Sequence, residues 1–140
     1  MEARPRAYAP RARRLVGPAV TTAALAGVVL ALHLRDPHEP GSWGRCLTAE
    51  LGLWCPACGG LRAVHDLTHL RLADSMSSNL LLWVWAPVVL WLLASWWRRR
   101  WAGRAYAGDP TRVLVGCVLL VVSAVGFAVA RNLPGSWLAP

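Results

Sequence analysis

The chain has 140 residues, 56% of them hydrophobic with 9 Trp, and carries 15 arginines, no lysine and a formal net charge of +8. That length suits one compact unit rather than two, and so much apolar content excludes an ordinary soluble domain. The charge alone would suit nucleic acid, but the arginines flank oily segments and form no basic stripe interleaved with aromatics, so no nucleic-acid partner is expected.

In chain order, a basic tail (1–14) with Arg4, Arg6, Arg11, Arg13 and Arg14 leads into the apolar run Leu15–Leu34. Pro18 falls in the first turn of that run, where proline is tolerated. A secretory signal has an apolar core of about 7–15 residues and a small-x-small site after it. The run is longer and no such site follows, so it is read as a retained membrane helix.

Segment 35–79 comes next and holds most of the reactive side chains. Two further apolar runs follow, Leu80–Trp97 and Val113–Ala130, separated by a basic stretch (98–112) and followed by a short tail (131–140). None of the three runs contains Arg, Lys, Asp or Glu. At about 1.5 Å per residue each spans roughly 27–30 Å, the thickness of a hydrocarbon core. Only helices satisfy their backbone within such a segment.

The expected fold is therefore all-α: an integral membrane protein with three transmembrane helices and a short amphipathic helix between the first and second. Trp83, Trp85, Trp96, Trp97 and Trp101 lie towards the ends of the second run, where indoles favour the interface. Pro87 is expected to kink it. Asp109 and Pro110 read as the N-cap and first residue of the third helix.

Arginines cluster in the tail before the first run and at Arg98, Arg99, Arg100, Arg104 and Arg112. In 35–79 they are offset by Asp36, Glu39, Glu50, Asp66 and Asp74. The positive-inside rule then places the N-terminus in the cytoplasm, and segment 35–79 and the C-terminus outside. Arginine-only usage with abundant Ala, Gly, Val and Leu suggests a GC-rich bacterial genome, and hence the bacterial plasma membrane.

Within 35–79, the stretch "LWCPACGGLRAVHDLTHL" (Leu53–Leu70) concentrates the chemistry. Gly59-Gly60 is a poor helix interior, so a helix should begin there and reach about Leu70. At about 100° per residue, Cys58, Arg62, His65 and His69 share one face, opposite Gly60, Ala63, Val64, Leu67 and Leu70. An interfacial helix turns polar residues to water in any case, which is the plain reading of Arg62, His65 and His69. Arg62 and Asp66, four apart, suit a surface ion pair.

Cys55-Pro56-Ala57-Cys58 is a C-x-x-C, a pattern shared by redox dithiols, metal half-sites and short structural disulfides. A cysteine at a helix N-terminus beside Arg62 should have a lowered pKa, yet no thioredoxin-like βαβ frame is visible. Cys46 could resolve a mixed disulfide or pair with either motif cysteine. Cys55, Cys58, His65 and His69 also spell C-x2-C-x6-H-x3-H, a possible zinc site. On a continuous helix Cys58 and His65 stand about 10.5 Å apart along the axis, so those ligands meet only if the chain folds back at Gly59-Gly60. Cys117, inside the third run, reads as a small apolar packing residue.

The stretch resembles the bacterial domain-of-unknown-function family numbered 2752. That family's pattern is a C-P-x-C-G-x-T-R-A box, then a Gly-Asp pair, then Asn-Pro entering a membrane helix. Cys55, Pro56, Cys58, Gly59, Arg62 and Ala63 match the box and Asn79 matches the Asn. Leu61 stands in place of Thr, Leu70-Arg71 in place of Gly-Asp, and Leu80 in place of Pro. The resemblance implies a small multi-pass membrane protein and no particular reaction.

Three functions fit. The first is a non-catalytic accessory or interaction protein, with the C-x-x-C as a structural disulfide, partnered by the bilayer and by another membrane protein or its own copies. Three membrane helices leave little room for a substrate pocket, and there is no intramembrane acid or base, so an enzyme and a resident cofactor are not expected. The alternatives are a membrane thiol–disulfide protein using Cys55 and Cys58, and a zinc-binding membrane protein using Cys55, Cys58, His65 and His69.

Overall fold

The computed structural model describes residues 10–39, 41–43, 46–104 and 108–138, and all regular structure in them is helical. Arg4 and Arg6 of the basic tail and Arg45 lie outside the described residues. Three long helices, α1 (Arg11–Leu34), α5 (Leu80–Trp101) and α6 (Pro110–Arg131), are long and apolar enough to cross a membrane. Each extends past the apolar run that announced it, so arginines occupy their ends. The expected all-helical fold with three membrane-capable helices is what forms.

Between α1 and α5 lie three short helices rather than one: α2 (Leu47–Glu50), α3 (Gly60–Thr68) and α4 (Leu72–Ser78). α3 is the expected amphipathic helix. Its N-cap, Gly59, sits at φ +76°, the left-handed region that glycine enters without strain. α3 closes with a Schellman turn: Arg71 N donates to Asp66 O and Leu70 N to Leu67 O. The residue in the left-handed position there is Leu70, at φ +61°.

Local signals set the ends of the long helices. Asp109 accepts from Thr111 N at 2.9 Å and Pro110 opens α6, as expected. Asn79 caps α5 by accepting from Leu82 N at 3.2 Å. Arg98, Arg99 and Arg100 fall in the last turn of α5, where cations complement the helix dipole. Because α1 starts at Arg11, Pro18 lies within the helix rather than in its first turn, a correction to the sequence reading. The carbonyl of Pro18 accepts from Thr22 Oγ1 at 2.8 Å.

α1 packs on α5, α3 sits between α1 and α4, and α4 leads into α5. α1 and α5 approach closely at Gly17, where a Cβ would stand 3.3 Å from the Trp96 ring. Trp97 Nε1 donates to Thr22 Oγ1 at 2.9 Å, and Arg11 lies 4.0 Å over the Trp101 ring. α6 is joined to α5 by the Trp85 Nε1 to Ser123 Oγ bond at 3.1 Å. Its apolar window buries nothing inside the chain. Cys117 is exposed on it, so it does not pack within this chain as expected.

Candidate functional site: a three-cysteine centre

The C-x-x-C loop runs from Trp54 into α3, and side chains from distant helices hold its backbone. Asn79 Nδ2 donates to Pro56 O at 3.0 Å and to Cys58 O at 3.1 Å. Arg131, the last residue of α6, donates from Nη1 to Cys58 O at 2.8 Å and to Cys55 O at 3.2 Å. Asn132 pairs with both backbone groups of Trp54 at 2.9 Å. Ala57 O accepts from Gly60 N. Every carbonyl from Trp54 to Cys58 therefore has a donor, and the loop backbone is fixed.

Arg131 is 1% exposed. Among the described residues its polar partners are carbonyl oxygens, Leu138 and Ser78 included, and it lies 4.9 Å over the Phe127 ring. A buried guanidinium beside the C-x-x-C loop favours negative charge there. In the sequence Arg131 was only the lone arginine of a short tail. Its one available signal was a cation at the end of an apolar run, where charge is expensive unless used.

Cys46, the N-cap of α2, joins the motif. Its Sγ lies 3.2 Å from Cys58 Sγ and 3.7 Å from Cys55 Sγ, and Cys55 and Cys58 are 3.1 Å apart. No pair is bonded; all are free cysteines. The three thiols differ in setting: Cys46 is exposed, Cys55 half-buried and Cys58 buried.

The Thr48 hydroxyl, 3.1 Å from Cys46 Sγ, leads the effects that lower the Cys46 pKa to about 6, with the Cys58 thiol and the Ala49 amide adding to it. Burial is the main cause that raises Cys58 to about 11. Cys58 thus keeps its proton and donates it towards the Cys46 thiolate. The sequence reading gave the lowered pKa to the C-x-x-C beside Arg62. The structure moves it to Cys46, because the Thr48 hydroxyl leads the effects lowering Cys46 while burial raises Cys58.

Above the sulfurs lies a groove of about 660 Å³, lined by Trp43, Trp54, Leu61 and Arg62 together with the three cysteines and His38. Such a recess beside the cysteines was not expected from three membrane helices. Arg62 is exposed along it, and Asp66 pairs instead with Arg71 at 2.6 Å. The expected Arg62–Asp66 pair is therefore replaced, because Asp66 is 1% exposed and faces inward.

The proposed zinc ligands divide. Cys55 and Cys58 cluster with Cys46, while His65 clusters with Asp36 and His38. His65 is 5% exposed and sits beside α1, so it leaves the face it was expected to share with Cys58. His69 donates back to His65 O and stacks with His33 at 4.3 Å. Three mutually close cysteines could hold a metal or exchange disulfides.

The model of a family described as a protein of unknown function (DUF2752) matches residues 46–93. The match begins at Cys46, includes the C-x-x-C, α3, α4 and Asn79, and ends within α5. The resemblance to that family is borne out over these residues, while Arg131 and Asn132 lie outside them. No curated protein and no solved structure matches the chain.

Proposed function

We propose that this protein, whose residues 46–93 match the DUF2752 family model, is a membrane thiol–disulfide exchange protein whose attacking residue is Cys46. The observation that carries this reading is the grouping of three sulfurs within 3.7 Å, one exposed and acidified, one buried and protonated. With a pKa of about 6, Cys46 is roughly nine-tenths thiolate at pH 7, the form that attacks disulfides.

In the forward direction the Cys46 thiolate attacks one sulfur of a partner's disulfide. A Cys46–partner disulfide forms and the partner's other sulfur leaves as thiolate. Cys58 then gives its proton to that thiolate and attacks the Cys46 sulfur, releasing the partner's first sulfur. Two electrons pass from Cys46 and Cys58 to the partner, leaving a Cys46–Cys58 disulfide. Cys55, 3.1 Å from Cys58, can take over that bond by the same exchange. A partner dithiol or disulfide of the opposite poise resets the centre. The open groove gives a peptide access to Cys46. On the topology favoured by the arginine distribution, the centre faces the outside, where disulfides persist.

A second reading has one specific support. Zinc–thiolate bonds of about 2.3 Å set tetrahedral sulfurs about 3.8 Å apart; the Cys46–Cys55 separation is 3.7 Å, while Cys58 stands closer to both, at 3.2 and 3.1 Å, and would have to draw back. Arg131 would offset the excess charge of three thiolates.

The test is trapping. In membranes carrying Cys55→Ser with Cys58→Ser, Cys46 should accumulate in reducible adducts with a partner protein, and Cys46→Ser should remove them. Absence of adducts, with stoichiometric zinc released on thiol alkylation, would favour the metal reading instead.

A further inference from the structure

All four histidines of the chain gather at the loop end of α1. His33 stacks on His69 and His65 packs on His69, both at 4.3 Å, with His38 at 5.8 Å from His65. Asp36 and Asp66 lie among them.

His65 fixes the chemistry. Its Nδ1 stands 2.7 Å from Leu32 O. Leu32 lies in the last turn of α1, where carbonyls lack helical partners. A carbonyl only accepts, so Nδ1 carries the hydrogen. In the neutral ring Nε2 is then a lone pair, and it faces Asp36 Oδ1 at 3.6 Å. With the ring neutral, two acceptors face each other across a gap that a cation would fill, and with the ring protonated the contact is an ion pair. Tetrahedral ligands at about 2.0–2.1 Å from zinc lie about 3.3 Å apart, close to that separation. An imidazole whose other N–H is donated to a backbone carbonyl is also the arrangement in which metal-bound histidines are held.

His38 completes the set. The ligand atoms of Asp36, His38 and His65 lie within 4.8 Å of one another. The side chains of Asp36 and His38 are 40% and 41% exposed, which leaves an entry path, while that of His65 is 7% exposed. Behind His38, Asp66 Oδ2 lies 3.5 Å from Nε2, and Asp66 is itself held by Arg71 at 2.6 Å and Ser78 at 3.3 Å.

We propose that Asp36, His38 and His65 bind one divalent first-row transition-metal ion, through the Asp36 carboxylate, His65 Nε2 and His38 Nδ1, with water completing the shell. Two imidazoles and one carboxylate are a nitrogen–oxygen set suited to zinc or its neighbours. Binding takes the place of the Nδ1 hydrogen in the 2.7 Å bond to Asp36, and the neutral ring then carries its hydrogen on Nε2, which faces Asp66 at 3.5 Å. This site shares no ligand with the sulfur cluster, although His38 also lines the groove above it, and it does not rest on the exchange reading.

The test uses the purified full chain in detergent, stripped with chelator and titrated with Co²⁺. The probe is run on the wild type, on a Cys46→Ser, Cys55→Ser, Cys58→Ser variant, on Asp36→Asn and on His65→Gln. Asn keeps an acceptor for the His38 amide, and Gln keeps a donor for Leu32 O, so both variants spare the local fold. The expected result is one equivalent of cobalt in the serine variant, with no thiolate charge-transfer band. Affinity should fall about tenfold or more in both Asp36→Asn and His65→Gln. Cobalt binding that disappears in the serine variant overturns the inference and places metal on the cysteines. Binding unchanged by Asp36→Asn, or no binding at all, overturns it as well.

Discussion

Leu70 shows how one residue can carry a misfit that its neighbours tolerate. The Schellman turn after α3 requires a left-handed residue, and at Gly103, after α5, the same kind of turn has glycine at φ +69°. At Leu70 a side chain occupies that conformation while lying 83% exposed, so it gains little packing in return. This is the position where the resemblance noted in the sequence has glycine. Leu70→Gly should raise the stability of the chain by about 0.5–1 kcal/mol, since a left-handed L-residue costs roughly 1–2 kcal/mol and glycine's extra unfolded-state freedom takes part of that back. Thermal unfolding in detergent would read it; a lowered midpoint would mean that the Leu70 side chain is used by something outside this chain.

Asn79 and Arg131 were unequally legible. Asn79 stood in the motif and before an apolar run, which is a cap signal. Its two bonds to the C-x-x-C loop required the fold. Arg131 lies 73 residues from Cys58, and no local pattern links them. Replacing it with Met takes one of two donors from Cys55 O and from Cys58 O, together with its bonds to Ser78 O and Leu138 O, and should cost on the order of 2–4 kcal/mol. The same change should speed alkylation of Cys58 by loosening the loop. Unchanged protection of Cys58 in Arg131→Met would show that Asn79 alone holds it.

Among the elements, the long helices were the most readable because apolar length is a strong signal. Their ends were not, since arginines can extend beyond the hydrocarbon while remaining helical. The short helices were the least readable. α2 and α4 have too few residues to show a period, and α3 turned its polar face differently from the helical-wheel expectation. That wheel assumed water on the polar side. The structure places α1 there, so His65 and Asp66 are buried by partners that only tertiary packing supplies. Gly17, close to Trp96, sets the distance between α1 and α5. Gly17→Leu should force the pair apart, weaken the Trp97–Thr22 bond and lower the unfolding midpoint. A Gly27→Leu control faces open space and should be near neutral.

On the scale of the molecule, antiparallel passage through α1, α5 and α6 brings the end of α1, the start of α5 and the end of α6 to one side. This is why residues as far apart as Cys46 and Arg131 meet, and why both the sulfur and the histidine clusters lie at the same end. The proposed topology puts that end outside. An impermeant maleimide should then label Cys46 in intact cells; labelling only after permeabilisation would reverse the orientation.

In the proposed exchange Cys46, rather than either cysteine of the C-x-x-C, is the attacking thiol. The most direct test is pulse alkylation of the fully reduced chain from pH 4.5 to 9.5, with each cysteine resolved by mass. A group with a lowered pKa gains reactivity at lower pH, so Cys46 should be modified first, half-maximally near its pKa of about 6. Cys58, raised to about 11 by burial, should be modified last. Thr48→Val should move the Cys46 midpoint up towards the ordinary thiol value near 8.5. A Cys46 midpoint already near 8.5 in the unaltered chain, or Cys58 reacting ahead of it, would show that Cys46 is not the attacking thiol.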